Sequence, residues 1–358
     1  MNSAANRVPD EPPADFGERM LGILNDGMLA LMISVGHKTG LFDSLAALPP
    51  STSAEIAAAA SLDERYVREW LAAMTTGGIV EYEAVGSTFG LPADRAALLT
   101  RAAGIDNLAI QAQYVGLLAT VEDQVVECFR HGGGVPYSEY PTFQALMAED
   151  SAAVHDAVLL DVILPLVPDL VARLRAGIDV ADVGCGSGHA LNLMAAAFHG
   201  SRFVGFDIAE AALAEGRAEA ARMGLGNVRF ERRDAAALDL SEQFDLVTTF
   251  DSVHDQARPD LMLSGIARSV RPGGVYLCVD IAASSRLADN MDHPLGSFLY
   301  TISCLHCMTV SLATGGMGLG TMWGEQLTRQ MITEAGFSSV ELRQVDGDIV
   351  NNYYVAHK

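Results

Sequence analysis

An α/β chain built on a parallel sheet is predicted by three observations. The apolar run Val180-Ala181-Asp182-Val183 leads straight into Gly184-Cys185-Gly186-Ser187-Gly188, a buried strand followed by a turn whose glycines let the backbone approach a ligand. A second run, Arg202-Phe203-Val204-Gly205-Phe206-Asp207, ends in a carboxylate nineteen residues after Gly188. Around these, strand-like and helix-like stretches alternate, the pattern of parallel strands joined by right-handed crossovers.

Taken in order, residues 1–15 are polar, with Pro9, Pro12 and Pro13, and read as a disordered tail. In residues 16–38, Leu21, Leu24, Met28, Leu31, Met32 and Val35 recur at spacings of three and four, hence an amphipathic helix that Gly40-Leu41-Phe42 ends. Ser53 opens a second helix, and residues 62–75 make a third with Leu62 and Asp63 at its start. Residues 77–83 and 86–91 read as two strands around a tight turn. Three helices and a hairpin make a mostly α winged-helix domain over residues 16–100.

The third helix carries Asp63, Glu64 and Glu69 against Arg65 and Arg68, and the wing adds Glu81 and Glu83. A helix meant for the major groove of DNA should be basic, so nucleic acid is not the expected partner. Residues 101–164 form a helical linker, with Leu108, Gln111, Val115, Leu118 and Val121 in step, broken by a flexible turn at His131-Gly132-Gly133-Gly134-Val135-Pro136.

Within residues 165–358, the glycine turn runs into a helix at residues 190–198, whose N-terminal N–H groups face the crevice. Residues 228–235 read as a third strand ending in Asp234-Ala235, and residues 244–250 as a fourth ending in Phe250. Arg271-Pro272-Gly273-Gly274 turns into a fifth strand at residues 275–280. Residues 322–335 are a helix, and residues 338–345 and 349–356 two closing strands. The glycine spacing is G-x-G-x-G, with His189 where a dinucleotide fingerprint needs its last glycine. A carboxylate at the tip of the second strand suits the two hydroxyls of a ribose.

These motifs, in this order, resemble the class I S-adenosylmethionine-dependent methyltransferases, and with the N-terminal module the chain is similar to small-molecule O-methyltransferases with a winged-helix dimerisation domain. The resemblance implies a Rossmann-like seven-stranded sheet closed by an antiparallel hairpin. It implies S-adenosyl-L-methionine as cofactor, leaving as S-adenosyl-L-homocysteine. Gly184, Gly186 and Gly188, with Asp182 before them, would pass beneath the methionine moiety. Asp207, followed by Ile208, would bind the ribose, Asp234 and Ala235 would flank the adenine, and Phe250 and Asp251 would border the sulfonium. It also implies a homodimer through the N-terminal domain, and apolar surface on the first helix is the local reason to expect one.

Methyl transfer from a sulfonium is an in-line displacement, so the protein has to align the acceptor and, for a hydroxyl, remove its proton. Phe250-Asp251-Ser252-Val253-His254-Asp255-Gln256 resembles the family stretch that carries the catalytic histidine, which makes His254 the candidate base. Asp255 or another carboxylate would orient it. Gln256 stands where the family usually has tryptophan. Residues 286–323 interrupt the sheet where acceptor lids sit, and Leu299, His306, Met308 and Trp323 would line a mostly apolar pocket roofed by Tyr140 or Phe143. For each of these, ordinary helix packing is the competing reading.

Cys304-Leu305-His306-Cys307 lacks a second ligand pair, so no metal is expected. Gly315-Gly316-Met317-Gly318-Leu319-Gly320 has no following Lys-Ser or Lys-Thr and is not a phosphate loop; a mobile lid turn is the reading left. The net charge of -22 argues against a phosphate backbone or an anionic membrane as partner. Five cysteines without framework spacing, no evident targeting segment and an apolar run at residues 28–35 too short for a bilayer point to a cytoplasmic protein. The expected activity is methyl transfer to a small, largely apolar acceptor. The rival is an S-adenosylmethionine-binding regulator that uses the winged helix to contact DNA or protein.

Overall fold

The computed structural model describes residues 15–358. The tail expected over residues 1–15 therefore lies, except for Asp15, outside the described residues. The chain divides into two compact units, Met1–Gly116 and Leu117–Lys358.

In the first unit the helix Phe16–Thr39 starts where Asp15 accepts from the Gly17 N–H and ends at Gly40, whose φ of 72° is the left-handed stop a glycine provides. A short helix, Leu41–Ala47, follows where the sequence suggests only an ending. Ser53–Ala60 is capped one residue earlier than expected: Thr52 and Glu55 form a reciprocal capping box. Glu64–Thr76 is capped by Asp63, and β1 (Glu81–Glu83) pairs antiparallel with β2 (Thr88–Gly90). The core is organised on Trp70, which packs edge-on to Phe42 at 5.1 Å and donates to the Met32 carbonyl at 2.8 Å. On the first helix Phe16, Leu21, Leu24 and Met28 are exposed.

The second unit holds seven strands: β3 (Asp179–Val183), β4 (Arg202–Asp207), β5 (Val228–Arg232), β6 (Phe244–Phe250), β7 (Val270–Ile281), β8 (Ser339–Arg343) and β9 (Asn351–His357). Their order is β5-β4-β3-β6-β7-β9-β8, with β9 antiparallel to both neighbours and the first five strands parallel. Strand order reverses beside β3, so the crevice for a ligand opens at the C-terminal ends of β3, β4 and β6. Alternation along the strands feeds two cores: Val180, Leu246 and Leu277 face the His189–Ala197 side, while Ala181, Val247 and Tyr276 face the Pro259–Ser269 side.

Strand β7 begins earlier than the expected turn. Val270 pairs with Phe244 before the register shifts and resumes at Val275 opposite Leu246, so Arg271-Pro272-Gly273-Gly274 is an irregularity within the strand. Two helices, Phe16–Thr39 and Gly296–Ala313, have the length and composition of a membrane span, with 17% and 50% of the apolar window buried. The first is longer than the apolar run at residues 28–35 suggests.

Candidate active site

At the tip of β3 the chain turns through Gly184, Gly186 and Gly188, all at positive φ. A Cβ on Gly184 would come within 2.6 Å of the Ser252 Cβ, so this glycine is required by close packing against the end of β6. A Cβ on Gly186 would meet nothing within 4 Å, so its main chain faces open space. Asp207, at the tip of β4, accepts from the Gly186 N–H through Oδ2 and from the Ala209 N–H through Oδ1, both at 2.8 Å. Each oxygen keeps acceptor capacity for an incoming hydroxyl. A bare turn beside an ionisable acceptor pair fits an adenosylated amino acid.

Asp182 is buried two residues before the turn, and Thr248 donates to it at 3.0 Å. Ile208 is exposed beside the tip of β4. Asp234 follows β5 and caps the short turn Ala235–Ala237 by accepting from the Ala236 N–H. Phe250 closes β6 and meets the His155 ring edge-on at 4.8 Å.

His254 lies just past β6, buried, with Nδ1 2.8 Å from Asp280 Oδ1. Asp280 comes from the end of β7, the neighbouring strand, and the same oxygen accepts from the Trp323 indole at 3.0 Å and the Ile281 N–H at 2.8 Å. Three donors on one oxygen fix the carboxylate, and the carboxylate fixes the imidazole. Burial disfavours the charged ring, but Asp280 outweighs it and holds His254 well above its ordinary value.

The orienting partner is thus Asp280, which sequence reasoning did not single out. Its signal was a strand ending in Asp beside the strand that precedes His254. Asp255, next in the chain, instead accepts from Gln256 Nε2 at 3.1 Å and from the Tyr137 hydroxyl at 3.4 Å. Asp251, at a φ of 48°, completes a group with His254 and Asp280 in which one donor atom from each lies within 4.8 Å of the others. A divalent cation accepts such a set, but His254 Nδ1 is already committed to Asp280, and a metal there would break that pair.

Two family models match the chain, a "Methyltransferase domain" over residues 174–346 and an "Rv2258c-like winged HTH domain" over residues 27–101. Residues 174–346 are a methyltransferase domain. The ubiquinone biosynthesis O-methyltransferase of Maricaulis maris is 32% identical over 114 residues, 31% of this chain and 43% of that protein. The trans-aconitate 2-methyltransferase of Methylobacterium nodulans is 32% identical over 128 residues, 35% of this chain and 45% of that protein. The chain therefore spans under half the length of these curated relatives. Human N-acetylserotonin methyltransferase, solved with S-adenosylmethionine, superposes with a TM-score of 0.71 at 18% identity over 97% of this chain and 99% of that one, a likeness of fold.

Over the methyltransferase domain, the helical run Gly296–Ala313 contains a π-helical turn, Ser303–Cys307, of the kind that re-aims side chains at functional sites. It carries His306, fully buried, stacked on Phe143 at 3.6 Å and met edge-on by Tyr137 and Tyr140. Tyr140 donates to the Leu305 carbonyl at 2.5 Å. Neither ring nitrogen of His306 has a hydrogen-bond partner among the described residues. Met308 follows it, half-buried. Leu299 packs with Ile281, Ala283 and Met322, and Trp323 holds Asp280, so these two brace the site from behind.

Gly134 does more than loosen a turn. A Cβ there would collide with the main chain of Thr309 and Ala313, and the Val135 N–H donates to Thr309 Oγ1 at 2.9 Å. Gly134→Ala is expected to destabilise the methyltransferase domain by about 1–3 kcal/mol through overpacking, read as a lower Tm. An unchanged Tm would contradict this packing.

The buried groups set a pH dependence. Burial lifts the Asp182, Asp251 and Asp255 carboxyls to about 7, about 8 and about 6, and His254 is also raised. Each keeps a proton in the folded chain that it loses on unfolding, so stability falls as pH rises through those values. Burial lowers His155 to about 4 and His306 to about 3, which raises stability with pH, but only up to their ordinary value of about 6.5. Between about pH 6.5 and 8.5 the first group titrates, joined by His189, which its bonds to Asp156 and Glu219 raise against the effect of burial, so the Tm of the ligand-free protein is expected to fall. A flat or rising Tm across that window would contradict the assignment.

Proposed function

We propose that this chain is an S-adenosylmethionine-dependent methyltransferase acting on a hydroxyl of a small, largely apolar acceptor. The reading is carried by one arrangement: His254, held by Asp280, follows two residues after Ser252, which packs against Gly184 of the turn. Gly184 and Gly186 would pass under the methionine moiety, Asp207 would take the ribose hydroxyls, and Asp234 with Ala235 would flank the adenine. The cofactor supplies an electrophilic methyl group on a good leaving group. His254 takes the acceptor's proton as the oxygen attacks, and Asp280 stabilises the imidazolium that results. Tyr140, Phe143 and His306 supply the aromatic side of the acceptor pocket.

His254 must be neutral to act, and Asp280 holds its proton, so turnover is expected to rise with pH above about 6.5. Association of two chains through the exposed apolar side of Phe16–Thr39, and a soluble, cytoplasmic state, belong to the same proposal. The test is calorimetric titration with S-adenosylmethionine and S-adenosylhomocysteine, followed by transfer of a labelled methyl group to a panel of hydroxylated acceptors. Failure of both ligands to bind would remove the proposal.

A further inference from the structure

Asp251 is placed at a cost. It is one of five non-glycine residues at positive φ among those described, and its N–H is anchored to the Val279 carbonyl at 3.0 Å. Such backbone persists where its surroundings over-determine it. The conformation delivers a carboxyl into the group with His254 and Asp280. Asp251 Oδ1 and Asp280 Oδ2 are both buried there without a hydrogen-bond partner among the described residues. Two buried orphan carboxylate oxygens in one small space is an unstable state of charge unless a proton or a cation joins them.

The groups that act on Asp251 are Asp280 from β7, His254 from the segment after β6, Asp150 from the Phe143–Val158 helix and Asp348 from the loop before β9. All but His254 are acidic. Asp251 also adjoins Ser252, the residue packed under Gly184. Asp251 thus leaves β6 at the same end of the sheet as the turn after β3, its parallel neighbour, to which the methionine end of the cofactor is assigned above.

From this geometry we infer that Asp251 is a specificity-determining residue that reads the charge of the cofactor, ionised against a cationic donor and protonated when the site holds the neutral thioether product. The inference rests on the proposed function. When a cation enters, the Asp251 O–H bond breaks, the carboxylate remains beside the positive centre, and the proton goes to solvent. When that positive charge is lost on methyl transfer, the carboxyl takes a proton back. The site then has no electrostatic hold on the product, and exchange for fresh donor is favoured.

The test is isothermal titration at pH 7, in two buffers of different ionisation enthalpy, of wild-type and Asp251→Asn protein. The ligands are S-adenosylmethionine, sinefungin, which carries an ammonium in place of the sulfonium, and S-adenosylhomocysteine. Wild-type protein is expected to release close to one proton with either cationic ligand and none with the thioether, a measurement that needs no variant. In Asp251→Asn the release disappears, and both cationic ligands weaken by about ten-fold or more while the thioether stays within about two-fold. Asparagine tolerates positive φ, so the strand end is preserved. Equal proton release with all three ligands, unchanged release in the variant, or equal weakening of all three would overturn the inference. Failure of wild-type protein to bind any of them would instead overturn the proposed function.

Discussion

Replacement of His254 by alanine is expected to lower kcat by about 10²–10⁴-fold, the range a positioned general base contributes, with S-adenosylhomocysteine affinity within about two-fold of wild type. The separation follows from geometry. His254 is bound to Asp280, while the residues proposed to seat the cofactor are the turn at residues 184–188 and Asp207, which accepts from the Gly186 N–H. Asp280→Asn tests the positioning residue apart from the base. It removes the charge that keeps His254 protonated and leaves Nδ1 facing an amide. Both kcat and the pH at which turnover rises are expected to fall, with KM for the acceptor little changed. A structural role alone would lower activity without moving the pH profile. Full turnover in His254→Ala would remove the base assignment.

Asp207→Ala is expected to weaken S-adenosylmethionine binding by two orders of magnitude or more, because each hydrogen bond from a ribose hydroxyl to a carboxylate contributes about 1.5–3 kcal/mol. The same change frees the Gly186 and Ala209 N–H groups, so part of the loss comes from a loosened turn. Asp207→Asn separates the two effects, since its amide oxygen keeps one acceptor while the charge is gone. Binding in Asp207→Asn should lie between wild type and Asp207→Ala. Wild-type affinity in both variants, by equilibrium titration, would show that the ribose is held elsewhere.

Much of this architecture was legible in the sequence because the signals were local. The expected bounds of β4 and β6 coincide with Arg202–Asp207 and Phe244–Phe250, where continuous apolar runs meet polar ends. Asp63 was readable as a helix start because a cap acts within two residues. The features missed depend on tertiary placement. His254 and Asp280 meet because β6 and β7 are neighbours, and only Asp280's position at a strand end hinted at it.

The positive φ of Asp251 and the π-helical turn at Ser303–Cys307 have no glycine or proline to announce them. Composition alone marks Gly134 as a flexible point, whereas its role is close approach to another helix. Trp323 and Leu299 point to an acceptor pocket only through their apolarity, and apolarity does not distinguish a pocket wall from the packing behind it.

The turn at residues 184–188 and Asp207 are proposed to seat an adenosylated methionine whose sulfur faces Asp251 and His254. A structure of the protein with S-adenosylhomocysteine bound tests it most directly. Both ribose hydroxyls are expected on the Asp207 carboxylate, the methionine chain over Gly186, and the sulfur turned toward the His254–Asp280 pair. Ligand bound elsewhere, or Asp207 directed away from the ribose, would contradict it.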